Sequence, residues 1–314
     1  MIIILFNKTG TEMTLILAFE DYLPQAEKLA FCLSLPIKQV NLHQFPDGET
    51  KVTLPAELPK NIIICRSLNH PNDKLIELII TASAAREQGV KYITLVAPYL
   101  CYMRQDIAFK TGEAISQKII GKLLSDYFDS VITVDPHLHR IDNLAEAIPN
   151  NAAITLHASH AISTFLQQKF KNPIIIGPDE ESEQWVKAIA TPQQWQYTIA
   201  TKQRYSDTKV DVSFSERDLN KNTMLNLAGQ DIIIVDDIAS TGKTLEQAVI
   251  QIKQQNPKSI SVIVTHAFFV DSAIKQLNNL GVNNIWSSDS IPHPSNAFSI
   301  IDTVATQLKI DGAS

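Results

Sequence analysis

Asp231-Ile-Ile-Ile-Val-Asp-Asp-Ile-Ala-Ser-Thr-Gly-Lys-Thr-Leu-Glu-Gln-Ala248 is the stretch on which the reading of the chain turns. Ile232 to Val235 is an unbroken aliphatic run, the pattern of a strand buried on both faces of a parallel sheet. Asp236 and Asp237 stand where that strand is expected to end. Behind them come the small residues Ala239-Ser-Thr-Gly242, then Lys243-Thr244 and a helical pattern. A strand that runs through a small-residue loop into a helix makes an anion site, because loop amides and the positive helix end face the ligand together. The two aspartates would repel an anion and suit sugar hydroxyls or a magnesium ion. The Gly-Lys-Thr ending invites a P-loop reading, but that motif needs glycine five positions earlier, and Asp237 stands there. For this stretch alone, a plain strand-turn-helix capped by a threonine is the competing reading.

Working outward, the 314 residues suffice for two ordinary domains. The chain is 45% apolar and 19% charged, a globular composition. Its net charge of −6 offers no basic field for nucleic acid. An acidic protein that handles phosphates must do so with local cations, loop amides and metal ions. Cys32, Cys65 and Cys101 lie in apolar or strand-like surroundings and read as reduced thiols. No apolar run approaches membrane-spanning length, and Met1-Ile-Ile-Ile-Leu-Phe6 reads as a first strand rather than a leader. These features predict a cytoplasmic protein with no membrane or nucleic-acid partner.

Strand-like and helix-like segments alternate along the chain, which predicts an α/β protein with mostly parallel sheets flanked by helices. Residues 21–32 carry helical periodicity through Leu23, Ala26, Leu29 and Ala30. Phe45-Pro-Asp-Gly-Glu49 is a turn by composition. Ile62–Cys65 reads as a strand, and residues 73–88 as a helix closed by Gly89. The strand 92–97 leads into a long loop, 98–113, holding Arg104 and Lys110; loops of that length in compact domains are usually functional. A helix over 114–128 and a strand over 131–134 follow, then Asp135-Pro-His-Leu-His-Arg140. The sequence softens at Ile148-Pro-Asn-Asn151, which places a boundary between domains 1–148 and 149–314. In the second half, strands are expected at 174–176, 197–201 and 260–265. The polar segment from Lys202 to about Asp218 lacks apolar periodicity and is expected to be mobile. The likeness of the halves suggests tandem copies of one fold.

Four clusters fall at expected strand ends: 98–106, 135–140, 177–182 and 236–244, the place where parallel sheets bind ligands. Taken in order, the chain resembles the ribose-phosphate pyrophosphokinase family over nearly its whole length, leaning toward the archaeal-like branch. The resemblance implies two tandem type I phosphoribosyltransferase-type domains, with the extreme C-terminus packed on the first. It implies transfer of a diphosphoryl group from ATP to ribose 5-phosphate, with Mg2+ as cofactor. Phe45, Asp47 and Glu49 resemble the loop that one subunit lends to its neighbour's adenine site, so a homo-oligomer, at least a dimer, is expected. Asn72-Asp-Lys-Leu-Ile-Glu-Leu-Ile-Ile80 resembles the family's helix after its second central strand. Arg104, Gln105 and Asp106 resemble its ATP-binding stretch. His137 resembles a histidine that touches ATP and joins a magnesium site, and Asp179 the aspartate that completes it. Lys202 and Arg204 resemble the cations of a mobile catalytic loop. Asp236, Asp237, Ser240, Thr241, Gly242, Lys243 and Thr244 resemble the ribose 5-phosphate loop, to which Asp179 is also assigned.

The chemistry agrees with these assignments. Diphosphoryl transfer concentrates negative charge on β-phosphate oxygens, so cations and magnesium do most of the work. Taken alone, Lys202 and Arg204 are a solvated charge pair on a loop, and His137 is as well explained by a backbone hydrogen bond. The sequence also departs from the family. Gly177-Pro-Asp-Glu-Glu-Ser182 replaces the frequent Ser-Pro-Asp-His-Gly-Gly, removing an anion nest and adding negative charge. Leu138-His-Arg140 replaces Ala-Pro-Gln. Two other readings therefore stand beside the first: a phosphoribosyltransferase that consumes phosphoribosyl pyrophosphate, and a non-catalytic regulatory homologue.

Overall fold

The computed structural model describes residues 14–138, 140–149, 152–206, 209–214, 217–220 and 223–313. They form two compact units. The first runs to His157 and takes back the chain from Ile301; the second spans Ala158–Ile300.

The first unit begins with β1 (Thr14–Ala18), α1 (Leu23–Leu33) and β2 (Ile37–Gln39). A hairpin of β3 (Asn41–Gln44) and β4 (Thr50–Thr53) follows, then β5 (Asn61–Cys65), α2 (Pro71–Glu87) and β6 (Tyr92–Val96). After the 98–113 loop come α3 (Ser116–Tyr127), β7 (Ser130–Val134), the short α4 (Leu144–Ala147) and β8 (Ala152–Leu156). The sheet order is β2-β1-β5-β6-β7-β8, every pairing parallel. The five buried residues of β1 are its first described strand. The expected strand at 2–6 lies outside the described residues, and the apolar run Thr14-Leu-Ile-Leu-Ala18 forms a strand that the sequence reading does not include. β8 pairs with β7, so the first sheet continues past the soft stretch at 148–151.

The second unit holds α5 (Ser159–Gln167), β9 (Ile174–Gly177), α6 (Glu183–Ala190), β10 (Tyr197–Ser206) and β11 (Lys209–Phe214). A small ladder of β12 (Arg217–Asp218) and β13 (Thr223–Met224) leads to β14 (Asp231–Ala239), α7 (Lys243–Lys253) and β15 (Ser259–Ala267). α8 (Asp271–Asn279), β16 (Asn284–Ser288) and β17 (Asn296–Phe298) complete it. The order β11-β10-β9-β14-β15-β16-β17 is parallel except at β10–β11. α9 (Ile301–Ala313) belongs to the first unit, where Lys28 on α1 pairs with Asp302 at 3.2 Å.

Leaving out edge additions, the two sheets share one order: second strand, first, third, fourth, fifth. In each, the order reverses beside the first strand, between β1 and β5 and between β9 and β14. A crevice forms at the carboxyl ends of such a strand pair, because the following segments leave to opposite faces. α7 shows how sequence locks such a unit. Leu245, Ala248, Val249 and Ile252 recur at helical spacing and are all buried against the sheet. Each larger side chain contributes about 1.5–3 kcal/mol by leaving water.

Two expectations change. β14 does not stop at Val235 but continues to Ala239. Its ladder with β15 runs to Ala239↔Ala267, whereas its ladder with β9 ends at Ile234↔Ile176. Asp236 and Asp237 therefore sit in a strand that has lost one neighbour. Residues 202–206 and 209–214, read as lacking apolar periodicity, pair as the antiparallel strands β10 and β11, with Lys202 opposite Val212 and Arg204 opposite Val210. The alternation Lys209-Val-Asp-Val-Ser-Phe214 is a period-two signal that a search for helical periodicity overlooks.

Candidate active site

The crevice of the second unit contains the opening stretch. Asp179 follows β9, and Asp236 and Asp237 lie on the adjacent β14. Asp237 is 3% exposed, and its backbone N–H donates to Asp236 Oδ1 at 3.0 Å. Asp236 is half-buried as a residue, and desolvation of its carboxyl raises the pKa well above the usual carboxylate range. The charges of Asp237 and Asp179 push the same way. A site that makes a carboxylate this reluctant to ionise favours a cation or hydroxyl donors beside it.

The chain then turns into α7. Gly242 takes the N-cap position at φ +73°, a left-handed conformation natural to glycine. Its C=O accepts from Glu246 N–H at 2.8 Å, starting the helix. A Cβ there would stand 3.1 Å from the Ala273 Cβ, so bulk is excluded as well. The Ser240 C=O accepts from Val270 N–H at 3.3 Å, tying the loop to the next strand's exit. Ser240, Thr241, Gly242, Lys243 and Thr244 thus wrap the positive end of an 11-residue helix, with the lysine in its first turn.

Asp179 precedes a short 3₁₀ turn, Glu180–Ser182. Ser182 Oγ donates to Asp179 C=O at 2.5 Å, and Asp179 N–H lies 3.5 Å from the same hydroxyl. Gly177 is required here, since a Cβ would come within 2.2 Å of Ser182 Oγ. The altered Gly177-Pro-Asp-Glu-Glu-Ser182 segment is therefore a tightly closed turn rather than an open amide nest.

At the carboxyl edge of the first unit, the 98–113 loop leaves β6 and the 135–140 segment leaves β7. Leu100, Cys101 and Met103 are buried and anchor the loop, and burial pushes the Cys101 thiol up to about 12. Gln117 Nε2 donates to Met103 C=O at 3.3 Å. Arg104 is exposed, and Gln105 Nε2 donates to Ile107 C=O at 2.9 Å. Asp106, expected to face the nucleotide, accepts from Arg140 Nη1 at 3.1 and 3.2 Å. The carboxylate of one loop is thus held by the guanidinium of the next. His137 is partly exposed, three residues beyond β7.

Phe45, Asp47 and Glu49 form the tip of the β3–β4 hairpin. Phe45 N–H donates to Glu49 C=O at 2.7 Å, and Glu49 N–H to Asp47 Oδ1 at 3.1 Å. Gly48, at φ +92°, supplies the reversal. Phe45 stays 42% exposed, edge-on to His43 at 5.0 Å. Lys202 and Arg204 lie on β10, and their side chains fall outside the described residues.

The crevice of the first unit is filled differently. Arg66, 4% exposed at the end of β5, donates to Asp21 at 3.0 Å and Glu77 at 2.6 Å and stacks over Phe19 at 4.1 Å. Lys74 pairs with the other Asp21 oxygen at 2.7 Å. Burial lowers the Lys74 pKa despite that partner. A cavity of about 360 Å³ opens beside them, lined in part by Gln44, Thr50 and His70. Sequence reading singles out neither Arg66 nor His157 and names Arg140 only as part of the 135–140 cluster; each acts through a partner distant in sequence, which no local motif marks.

Comparison with known proteins follows this geometry. The model of the N-terminal domain of ribose phosphate pyrophosphokinase matches residues 14–127, and that of the phosphoribosyl transferase domain matches 145–282. The ribose-phosphate pyrophosphokinase of Pyrococcus abyssi is 32% identical over 266 residues, covering 84% of this chain and 88% of its own. That of Saccharolobus solfataricus is 31% identical over 268 residues, covering 84% and 89%. That of Methanopyrus kandleri is 29% identical over 302 residues, covering 94% and 98%. The crystal structure of phosphoribosylpyrophosphate synthetase from Mycobacterium smegmatis superposes with a TM-score of 0.80 at 20% identity, over 95% of this chain and 98% of that one, a likeness of fold. The chain belongs to the ribose-phosphate pyrophosphokinase family.

Proposed function

We propose that the chain transfers the β,γ-diphosphoryl group of ATP to the 1-hydroxyl of ribose 5-phosphate, giving 5-phosphoribosyl 1-pyrophosphate and AMP. The observation that carries this reading is the second unit's crevice, where three aspartates adjoin a glycine-led loop at a helix N-terminus. Asp236 and Asp237 accept hydrogen bonds from ribose hydroxyls, which relieves the repulsion between them. Ser240–Thr244 enclose the 5-phosphate with loop amides and the Lys243 ammonium. Arg104 and Gln105 bind the nucleotide, and Phe45, Asp47 and Glu49 serve the adenine of a neighbouring subunit, so the active form is at least a dimer. Asp106 acts by holding Arg140 beside Arg104's loop.

Mg2+ fits the residues present. Among the described residues no three His, Cys, Asp or Glu side chains converge as metal ligands. Magnesium takes one or two carboxylates and completes its shell with water and phosphate oxygens. Asp179 would supply such a carboxylate, and His137 would act through a bound water. When bound, the ion neutralises phosphate charge. Lys202 and Arg204 stabilise the charge that develops on the β-phosphate oxygens. The work is cytoplasmic nucleotide supply.

The test is to mix pure protein with ATP, ribose 5-phosphate and magnesium and to follow AMP by chromatography. AMP is expected only when the sugar phosphate is present; its absence across metals and phosphate levels overturns the reading. In the same assay Lys202→Ala lowers turnover by roughly 10²–10³-fold without shifting the melting temperature.

A further inference from the structure

Asp135 is the residue at which β7 leaves the sheet, and three features mark it. Its backbone takes φ +39°, a left-handed conformation unfavourable to any residue with a Cβ. Pro136 follows, which further restricts the residue before it. The side chain is buried, with the residue 2% exposed. Such a turn persists only where its surroundings enforce it.

The surroundings belong to β8. Asp135 N–H donates to the Leu156 C=O at 2.9 Å, and the next residue, His157, places Nδ1 3.0 Å from Asp135 Oδ1. The imidazole side chain is 62% exposed, so the ring stands at the rim with one edge turned in to the carboxylate. The hydrogen bond to Asp135 raises the His157 pKa, although burial opposes it, so Nδ1 is the donor of this pair. Two residues past the turn lies His137.

We propose that His157 is a positioning residue for the nucleotide half of the reaction: its Nδ1–H clamps the buried Asp135 carboxylate and so fixes the left-handed turn that presents His137. This rests on the reading of His137 as an ATP contact. Outer partners that orient a ligand residue change affinity by about 10–100-fold when removed. The clamp is indirect, so its loss affects ATP and leaves the sugar phosphate untouched.

The experiment uses the full chain and compares wild type with His157→Ala, His157→Asn and His137→Ala. The readouts are calorimetric affinity for α,β-methylene ATP, KM for each substrate, kcat and melting temperature. His157→Ala weakens nucleotide affinity and raises the KM for ATP by about 10-fold, with the KM for ribose 5-phosphate unchanged. His157→Asn, whose side-chain amide still donates toward Asp135, recovers most of the loss. The inference is overturned if His157→Ala leaves nucleotide affinity intact, if both substrates weaken together, or if Asn gives no recovery. If His137→Ala leaves an active enzyme's nucleotide affinity unchanged, the presentation of His137 is refuted while the reaction stands. If the wild type binds no nucleotide and makes no AMP, the functional reading fails and takes this inference with it.

Discussion

The crevice between β1 and β5 and the crevice between β9 and β14 occupy the same place in the same strand order, yet their charges are arranged in opposite ways. In the first, Asp21, Arg66, Lys74 and Glu77 alternate in sign and satisfy one another at 2.6–3.0 Å. In the second, Asp179, Asp236 and Asp237 repeat one sign, and burial together with those neighbouring charges raises the Asp236 pKa. The difference separates a crevice whose opposite charges pair with one another from one whose neighbouring carboxylates make one another harder to ionise. A buried, alternating network is costly to break and contributes mainly to the fold. A like-charge cluster is tolerated at a cost in stability and is relieved when hydroxyls or a cation arrive.

The largest expected effect breaks the first crevice. Arg66→Ala leaves Glu77 without its cation and Asp21 with Lys74 alone, and it removes the stack on Phe19, which destabilises the protein by about 3–5 kcal/mol. Chemical denaturation measures this, and a loss below about 1 kcal/mol would show that the network is not what closes the crevice.

The second substitution acts in the opposite direction. Asp236→Asn removes a repelled carboxylate, so the melting temperature rises by about 2–4 °C if the repulsion amounts to about 1 kcal/mol. The sign follows from linkage. The native state holds this proton more tightly than the unfolded chain, so ionisation reduces stability as pH climbs from about 3.9 through the raised native value. The gain from Asn is absent in acid and complete above that window; a variant that melts lower at neutral pH would contradict the account. The same variant forfeits binding of the sugar phosphate.

The smallest effect concerns the first unit's rim. Arg140 is half exposed, so Arg140→Ala costs folding stability no more than about 1 kcal/mol. It frees the buried Asp106 carboxylate beside Arg104's loop and raises the KM for ATP a few-fold. An unchanged KM would make the Asp106–Arg140 pair a surface ornament.

The opening stretch made one of these crevices legible and left the other hidden. Asp236, Asp237 and the Ser240–Thr244 loop are contiguous, so strand, loop and helix cap could be read together. Asp21, Arg66 and Glu77 are scattered over three elements and meet only because β1 and β5 are neighbours. Asp135 and His157 meet for the same reason, across β7 and β8, and β8 itself hides behind the soft stretch at 148–151. The extension of β14 past Asp237 had no local signal either, because it depends on β15 lying alongside. The alternation in 209–214 is legible in the sequence, but the polar residues around it mask the strand.

The most direct test of the division between the two units is calorimetric titration of ribose 5-phosphate and of α,β-methylene ATP into wild type, Asp236→Asn and Arg104→Ala. Asp236→Asn should lose affinity for the sugar phosphate and keep the nucleotide, and Arg104→Ala should do the reverse. Equal weakening of both ligands by either variant, or ribose 5-phosphate affinity untouched by Asp236→Asn, would contradict the account.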